Sequence, residues 1–411
     1  MSAAPNAMPA IDPRLIQDEP GLMGAWKGFR RRVSQGELGS LPVLIGLVAI
    51  WVTFYLANER FLSAVNLTNL MLQIAAMGMI SAGIVLVLLL GEIDLSAGAV
   101  SGLAAAVMAI LNVKLQWGAI PSLLAGLGTG AAIGLFQGIW ITRFRVPSFV
   151  VTLAGFLGWQ GALLYVLGGT GTVNLNDRFI TGMTGTFFES SVAWPLVILI
   201  VIVDLATVAL ERARRSAAGL PLPRVRATAT RVALTSGALV AATAIFTQDR
   251  GLPLGTLILV GVVLLLETVL VCTRFGRHVF AVGGNMEASR RSGIRVERIR
   301  VAVFTLGSTL AAAGGILASS RLLAVNQSSG SGDILLNAIA AAVIGGTSLF
   351  GGRGSAWSAI LGALVIGSIS NGMDLLALSS SVKFMVTGAV LLVAASIDAI
   401  SRRGRQASGR A

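Results

Sequence analysis

Long apolar runs with almost no charge recur from residue 42 nearly to the end of the chain, and no water-soluble fold can bury that many. A helix crossing the hydrocarbon core needs about 20 predominantly apolar residues, roughly 17–25 in practice. Twelve segments fit or nearly fit: 42–58, 70–90, 97–113, 119–141, 147–168, 194–210, 232–247, 252–272, 301–320, 335–350, 355–370 and 383–400. Those at 335–350 and 355–370 are short enough to be half-helices or re-entrant, so the expected number of spans is about 12, within about 10–14. Charged residues make up 12% of the 411, against about 25% in an ordinary soluble domain. The fold class that follows is an all-α polytopic membrane protein. The 50 glycines lie inside the apolar runs without a three-residue period, which excludes collagen; the apolar content excludes a disordered chain.

Lys and Arg placement sets the orientation, because cytoplasmic connections are enriched in them. With the N-terminus inside and twelve alternating spans, 25 of the 31 Lys+Arg fall on cytoplasmic segments. The remainder are Arg60, Lys114, Arg178, Arg250, Arg321 and Lys383. This predicts a cytoplasmic N-terminal tail (1–41), a transmembrane domain (42–403) and a cytoplasmic C-terminal tail (404–411). The first forty residues are polar and lead into a run of spanning length, so no cleavable signal peptide is expected. The net charge of +13 comes from arginines between apolar segments rather than on one amphipathic face, which argues against nucleic acid.

Two cytoplasmic connections are long. Residues 211–231 carry Arg212, Arg214, Arg215, Arg224, Arg226 and Arg231 around Pro221 and Pro223, and read as a solvated topogenic loop on an anionic leaflet. Residues 273–300 carry the signature of a short helix: Asn285 as N-cap, Glu287 in the first turn, Arg290 and Arg291 in the last, and Gly293 just beyond. About seven residues make a helix of roughly 10 Å, too short to persist alone in water. It needs a surface, on its own chain or on a cytoplasmic partner. The longest outside connection, 169–193, is rich in Gly, Thr and Asn and holds Asp177 and Glu189.

Two polar breaks interrupt the apolar sequence. The first, Gly91-Glu92-Ile93-Asp94-Leu95-Ser96, places two carboxylates beside spanning-length segments, where they are costly unless they meet water, protein or backbone donors. It is either a broken helix on a transport pathway or a plain interfacial turn. Asp94 and Ser96 can cap a helix starting near Ala97, so Asp94 is expected to matter more than Glu92. The second break, Gly345 to Ser355, also leads into a small-residue helix. Interrupted segments at corresponding places in two halves suggest an internal duplication, although the two are only weakly alike by letters. Gly126, Gly130, Gly134 and Gly138 recur every four residues, as do Gly98, Gly102 and Ala106. That spacing makes a small-residue ridge for close helix packing or, alternatively, a substrate-lining groove.

Other chemistry is sparse. Cys272 is the only Cys, so no intrachain disulfide forms, and it reads as a small core residue. His278, the only His, reads as a polar loop residue, and no metal-ligand cluster is visible. Asp204, Glu267 and Asp398 lie near segment ends and make poor members of an acidic relay. No GxxxxGK[ST] occurs, so ATP is not bound here through a P-loop, and active transport requires a partner that binds it.

Five segments together resemble a known family: GEIDLS at 91–96, VPSFVVTLAG at 146–155, GRHVFAVGGNMEASRRSGIRVER at 276–298, IAAAVIGGTSLFGGRGS at 339–355 and ISNGMDLL at 369–376. The chain resembles the membrane subunits of pentose ABC importers, of the ribose/xylose/galactose-type sugar permease family. Glu92, the arginine-rich 211–231 and DRGLP at 249–253 resemble the xylose type. Met286, Ser289 and Arg353 depart from the family pattern. The resemblance spans about 42–403. It implies an ABC importer permease fold in the bacterial inner membrane, a homodimer, cytoplasmic ATPase subunits that carry the ATP, and a periplasmic or extracellular sugar-binding protein. No cofactor is expected in this chain. By resemblance, the coupling segment to the ATPase is Gly283, Gly284, Asn285, Glu287, Ala288, Arg291 and Gly293. Candidates for the pathway of a monosaccharide, D-xylose by this resemblance, are Glu92, Asp94, Ser96, Asn371 and Asp374. An ion-coupled or facilitative sugar carrier is the alternative, and would work without partners. A membrane-embedded enzyme is third, and would release a modified product.

Overall fold

The computed structural model describes residues 41–220 and 225–407. The helices are α1 (Leu41–Ala57), α2 (Ala64–Leu89), α3 (Ala97–Ala109, continued by a π-helical turn Ile110–Lys114), α4 (Ala119–Arg143) and α5 (Ser148–Leu167). Next come α6 (Arg178–Gly185), α7 (Ser190–Ala217), α8 (Val225–Phe246), α9 (Leu254–Cys272), α10 (Arg274–Gly284) and α11 (Met286–Arg291). The last four are α12 (Val296–Leu322), α13 (Gly332–Ile344), α14 (Trp357–Leu375) and α15 (Ser380–Ala407). Each of the twelve apolar segments lies on one of these helices. Among the described residues, nine helices are long and apolar enough to cross a membrane.

Two expectations are corrected. The segment 335–350 is, as a half-helix would be, short: the 13-residue α13 ends where Gly345 and Gly346, the latter at φ +108°, turn the chain out of the helix. Its neighbour 355–370 is no half-helix but the 19-residue α14. The region 211–231 is mostly helix rather than loop, since α7 runs to Ala217 and α8 starts at Val225. Pro221, Pro223 and Arg224 fall outside the described residues, as does the N-terminal tail up to residue 40. The connection 169–193 holds a short helix and two strands. Asp177 caps α6 by accepting from the N–H groups of Phe179 (2.8 Å) and Ile180 (3.2 Å). Its strands β1 (Thr172–Asn174) and β2 (Phe187–Phe188) pair antiparallel with β4 (Ala324–Asn326) and β3 (Leu252–Pro253), respectively.

The centre is built from α2, α3, α12 and α14, with α4 packed on it by one face. Lipid is as apolar as a leucine side chain, so close approach of backbones rather than hydropathy selects the inner helices. Within α2, 89% of the apolar window is buried, against 11% in each of α7 and α8. Gly126 of α4 faces the Ala104 carbonyl of α3, and Gly130 and Gly134 face the Ser308 and Phe304 carbonyls of α12. Gly138 faces Val301 of α12, so all four glycines lie in helix–helix contacts. Gly315 of α12 lies against the Ser101 carbonyl, and Gly314 against that of Ala76. Added side chains would force these backbones apart.

Candidate functional site

The two breaks and the α10–α11 segment meet at one end of this bundle. The N–H of Gly352 donates to the Leu89 carbonyl at 2.9 Å, joining the second break to the end of α2. Gly283, in the last turn of α10, lies directly on that same carbonyl and on the Gly352 nitrogen; a Cβ here would stand 2.7 Å from the latter. A Cβ at Gly351 would come within 2.7 Å of both the Gly283 oxygen and the Gly91 nitrogen. Gly91, Gly351 and Gly352 have φ of +74°, +81° and +72°, a region that L side chains rarely occupy. Three chain segments therefore touch backbone to backbone, with no side chain to cushion relative movement.

The carboxylates of the first break are both held. Glu92 Oε1 pairs with Arg300 Nη2 of α12 at 2.5 Å, and both side chains are largely buried (10% and 17% exposed). Asp94 Oδ1 accepts from the Ser96 N–H at 2.7 Å and from its hydroxyl at 2.6 Å. Gln137 of α4 donates to the Ser96 hydroxyl at 2.8 Å. Ser96 is the N-cap residue of α3 but makes no side-chain cap bond itself. Losing Glu92 would leave a buried guanidinium without its partner.

At the second break the carboxylate comes from elsewhere. Glu267 of α9 accepts from the Ala356 N–H at 2.8 Å and the Ser355 hydroxyl at 3.1 Å, just ahead of α14. A carboxylate near free N–H groups at a helix start is favourable on both hydrogen-bond and dipole grounds.

Directly after Gly284, α11 forms as its capping residues dictate. Asn285 is extended (φ −158°) and its Oδ1 accepts from the Ala288 N–H at 2.9 Å. Gly293 follows at φ +86°. Glu287 pairs with Arg291 at 3.1 Å and Arg290 with Glu297 at 3.0 Å. These pairs are exposed and contribute little to stability. Only Ser289 is buried, while Asn285, Glu287, Ala288, Arg291 and Gly293 face outward. The helix thus leaves most of its surface open.

The site residues expected from the sequence do not form one cluster. Glu92, Asp94 and Ser96 lie in the break that touches Gly283, whereas Asn371 and Asp374 are at the far end of α14. There Asn371 exchanges hydrogen bonds with Asn66 (2.8 and 3.0 Å), and Asp374 pairs with Lys383. From Asn66 to Leu89 a helix extends about 35 Å at 1.5 Å per residue. Cys272 is exposed at the end of α9, not a core residue, because it sits where the bundle gives way to α10. Asp204 pairs with Arg231 between α7 and α8 at 3.2 Å. Asp398 lies on a part of α15 whose side chains are outside the description. Sequence reasoning missed Arg300, Gln137, the capping role of Glu267, and α10 altogether. Glu267 alone carried a signal: a single carboxylate in an apolar run needs a partner.

A family model described as "Branched-chain amino acid transport system / permease component" matches residues 66–395. The chain is 37% identical over 364 residues, 88% of its length and 92% of the relative's, to the xylose transport system permease protein of Escherichia coli strain K12. It is 34% identical over 366 residues (88% and 96%) to the xylose transport system permease protein of Haemophilus influenzae. Identity to the ribose import permease protein of Bacillus subtilis is 31% over 365 residues (88% and 94%). No solved structure matches the chain at a significant level.

Proposed function

The chain belongs to the branched-chain amino acid transport system / permease component family, and from that premise we propose that it forms the membrane pathway of an ABC importer for a pentose, D-xylose. The two xylose permeases outrank the ribose permease in identity, which supports the xylose reading over ribose. The observation that carries the mechanism is the glycine junction. An exposed, capped helix α11 continues through Gly284 and Gly283 into direct backbone contact with both breaks. A push on α11 is transmitted to Leu89, Gly91 and Gly351 without a compliant side chain between.

In this reading α11 is the coupling helix and docks on a cytoplasmic ATPase subunit, which binds the ATP. The concentration of arginines around α11 and near both ends of the sequence supports a cytoplasmic location for them. A second copy of the chain completes the pathway, and a sugar-binding protein delivers the sugar on the other side. The sugar crosses unmodified. Glu92, Asp94 and Ser96 shape the gate, and no contact with the sugar is assigned to them.

The test is reconstitution with the ATPase and binding protein. Deletion of 286–292, or Gly293→Pro, should leave the protein inserted and folded while ATP hydrolysis no longer drives xylose uptake. Proline cannot adopt the positive φ at 293. Normal uptake and normal binding-protein-stimulated hydrolysis in the deletion would sink the coupling role. Parallel uptake of xylose, ribose and leucine separates the substrate classes, and uptake by the chain alone would point instead to a carrier that works without partners.

A further inference from the structure

Beside α11 a polar pocket of 320 Å³ is lined by Thr142, Arg145, Arg290, Glu297 and Arg300. Three guanidiniums face one carboxylate there. Glu297 is already paired with Arg290 and Glu92 with Arg300. Arg145 has no acidic partner among the described residues, and Arg300 Nε is buried without a hydrogen-bond acceptor. The pocket therefore has unspent capacity for an anion. Next to it runs an open groove of 720 Å³ between α4, α10 and α12. Leu135, Phe275, Val301, Ala302 and Leu306 form its walls. Glu297 lines both cavities, so the apolar groove and the basic pocket adjoin at the first turn of α12.

We propose that groove and pocket form one binding site for an anionic phospholipid, its phosphate among Arg145, Arg290 and Arg300 and an acyl chain along the groove. The walls at Leu135 and Leu306 are 46% and 41% exposed on spanning helices, where hydrocarbon is the surrounding medium. The basic end coincides with the end of the bundle that carries α11, at headgroup level. An acidic side chain of a cytoplasmic protein would satisfy the arginines equally well but would leave the groove unexplained. Since Arg290 lies on α11 and Arg300 holds Glu92, lipid occupancy bears on the junction that couples α11 to the first break.

The full-length protein, purified in detergent, is titrated with phosphatidylglycerol, phosphatidylcholine or inorganic phosphate. Retention is read by native mass spectrometry, and protection by the shift in thermal unfolding. Phosphatidylglycerol should be retained and should raise the unfolding temperature more than phosphatidylcholine, and inorganic phosphate should do neither. Arg145→Gln should weaken retention about fivefold, the contribution of one basic residue at an anionic surface. Ala302→Trp should abolish retention by filling the groove. Leu306→Trp, at a more exposed position, serves if Ala302→Trp does not fold. Equal retention of the two lipids overturns the proposal. So does full protection by inorganic phosphate, which would mean a site for a free anion. If Arg145→Gln retains phosphatidylglycerol but weakens assembly with the ATPase, the pocket seats an acidic side chain and the lipid site is wrong. Lipid retention is read without transport, so this result stands apart from the uptake test.

Discussion

The two glycine breaks place the same demand on the chain and meet it differently. Each precedes a small-residue helix whose first N–H groups lack intrahelical acceptors. In the first break the carboxylate is in line: Asp94 accepts from Ser96 two residues on. In the second it arrives from α9, where Glu267 reaches Ser355 and Ala356. The in-line solution fixes only a local turn. The remote one also ties α14 to α9, the helix that leads through Thr273 into α10 and α11. Similar breaks can therefore differ in what they are fastened to, and the second is fastened to the helix that carries the docking segment.

The largest expected effect comes from the buried ion pair of the first break, Glu92–Arg300. Glu92→Ala should cost about 3 kcal/mol, because Arg300 is left buried and unpaired. Adding Arg300→Leu should restore much of that stability in thermal unfolding, while uptake stays impaired if the pair belongs to the gate. Full recovery of uptake in the double variant would make the first break structural only.

The next test addresses the point where both breaks meet. Gly283→Ala should cost about 1–3 kcal/mol by forcing a methyl group between the Leu89 and Gly352 backbones. At its neighbour Gly284 a side chain would meet no other part of the chain, so Gly284→Ala should stay within about 0.5 kcal/mol. Equal unfolding temperatures for the pair would mean that the junction is looser than its geometry.

A smaller effect compares the caps themselves. Asp94→Ala and Glu267→Ala should each lose about 0.5–2 kcal/mol. If the second break is tied to the docking segment, Glu267→Ala should impair ATP-driven uptake more than its stability loss accounts for. Asp94→Ala that folds and transports like the parent would leave the first break a plain interfacial turn.

Much of this architecture was legible because spanning helices announce themselves by length and hydropathy. The twelve apolar segments each became a helix, and Asn285, Glu287 and Gly293 delimited α11 by capping chemistry alone. The rank of the helices was not legible from hydropathy: α7, at the periphery, is as apolar as α2, at the centre. The four-residue glycine ridge of α4 was a guide to contact rather than to depth: its glycine face packs on α3 and α12, while only 28% of its apolar window is buried. The site was read in part. Glu92 and Asp94 stood out as intramembrane carboxylates, but Arg300 lies more than 200 positions away and reads like any other arginine of a cytoplasmic connection. Asn371 and Asp374 were grouped with them by motif, and the length of α2 keeps the two sets apart.

The position of Cys272 has a practical consequence. It is the only thiol in the chain, it is exposed, and it stands two residues before α10. A maleimide spin label or fluorophore can therefore be attached to the natural sequence at one place, with no cysteine to remove and none to add. In an assembly of two copies the two labels would report one distance, and its change on adding nucleotide to the partner subunits would follow the docking segments as they move.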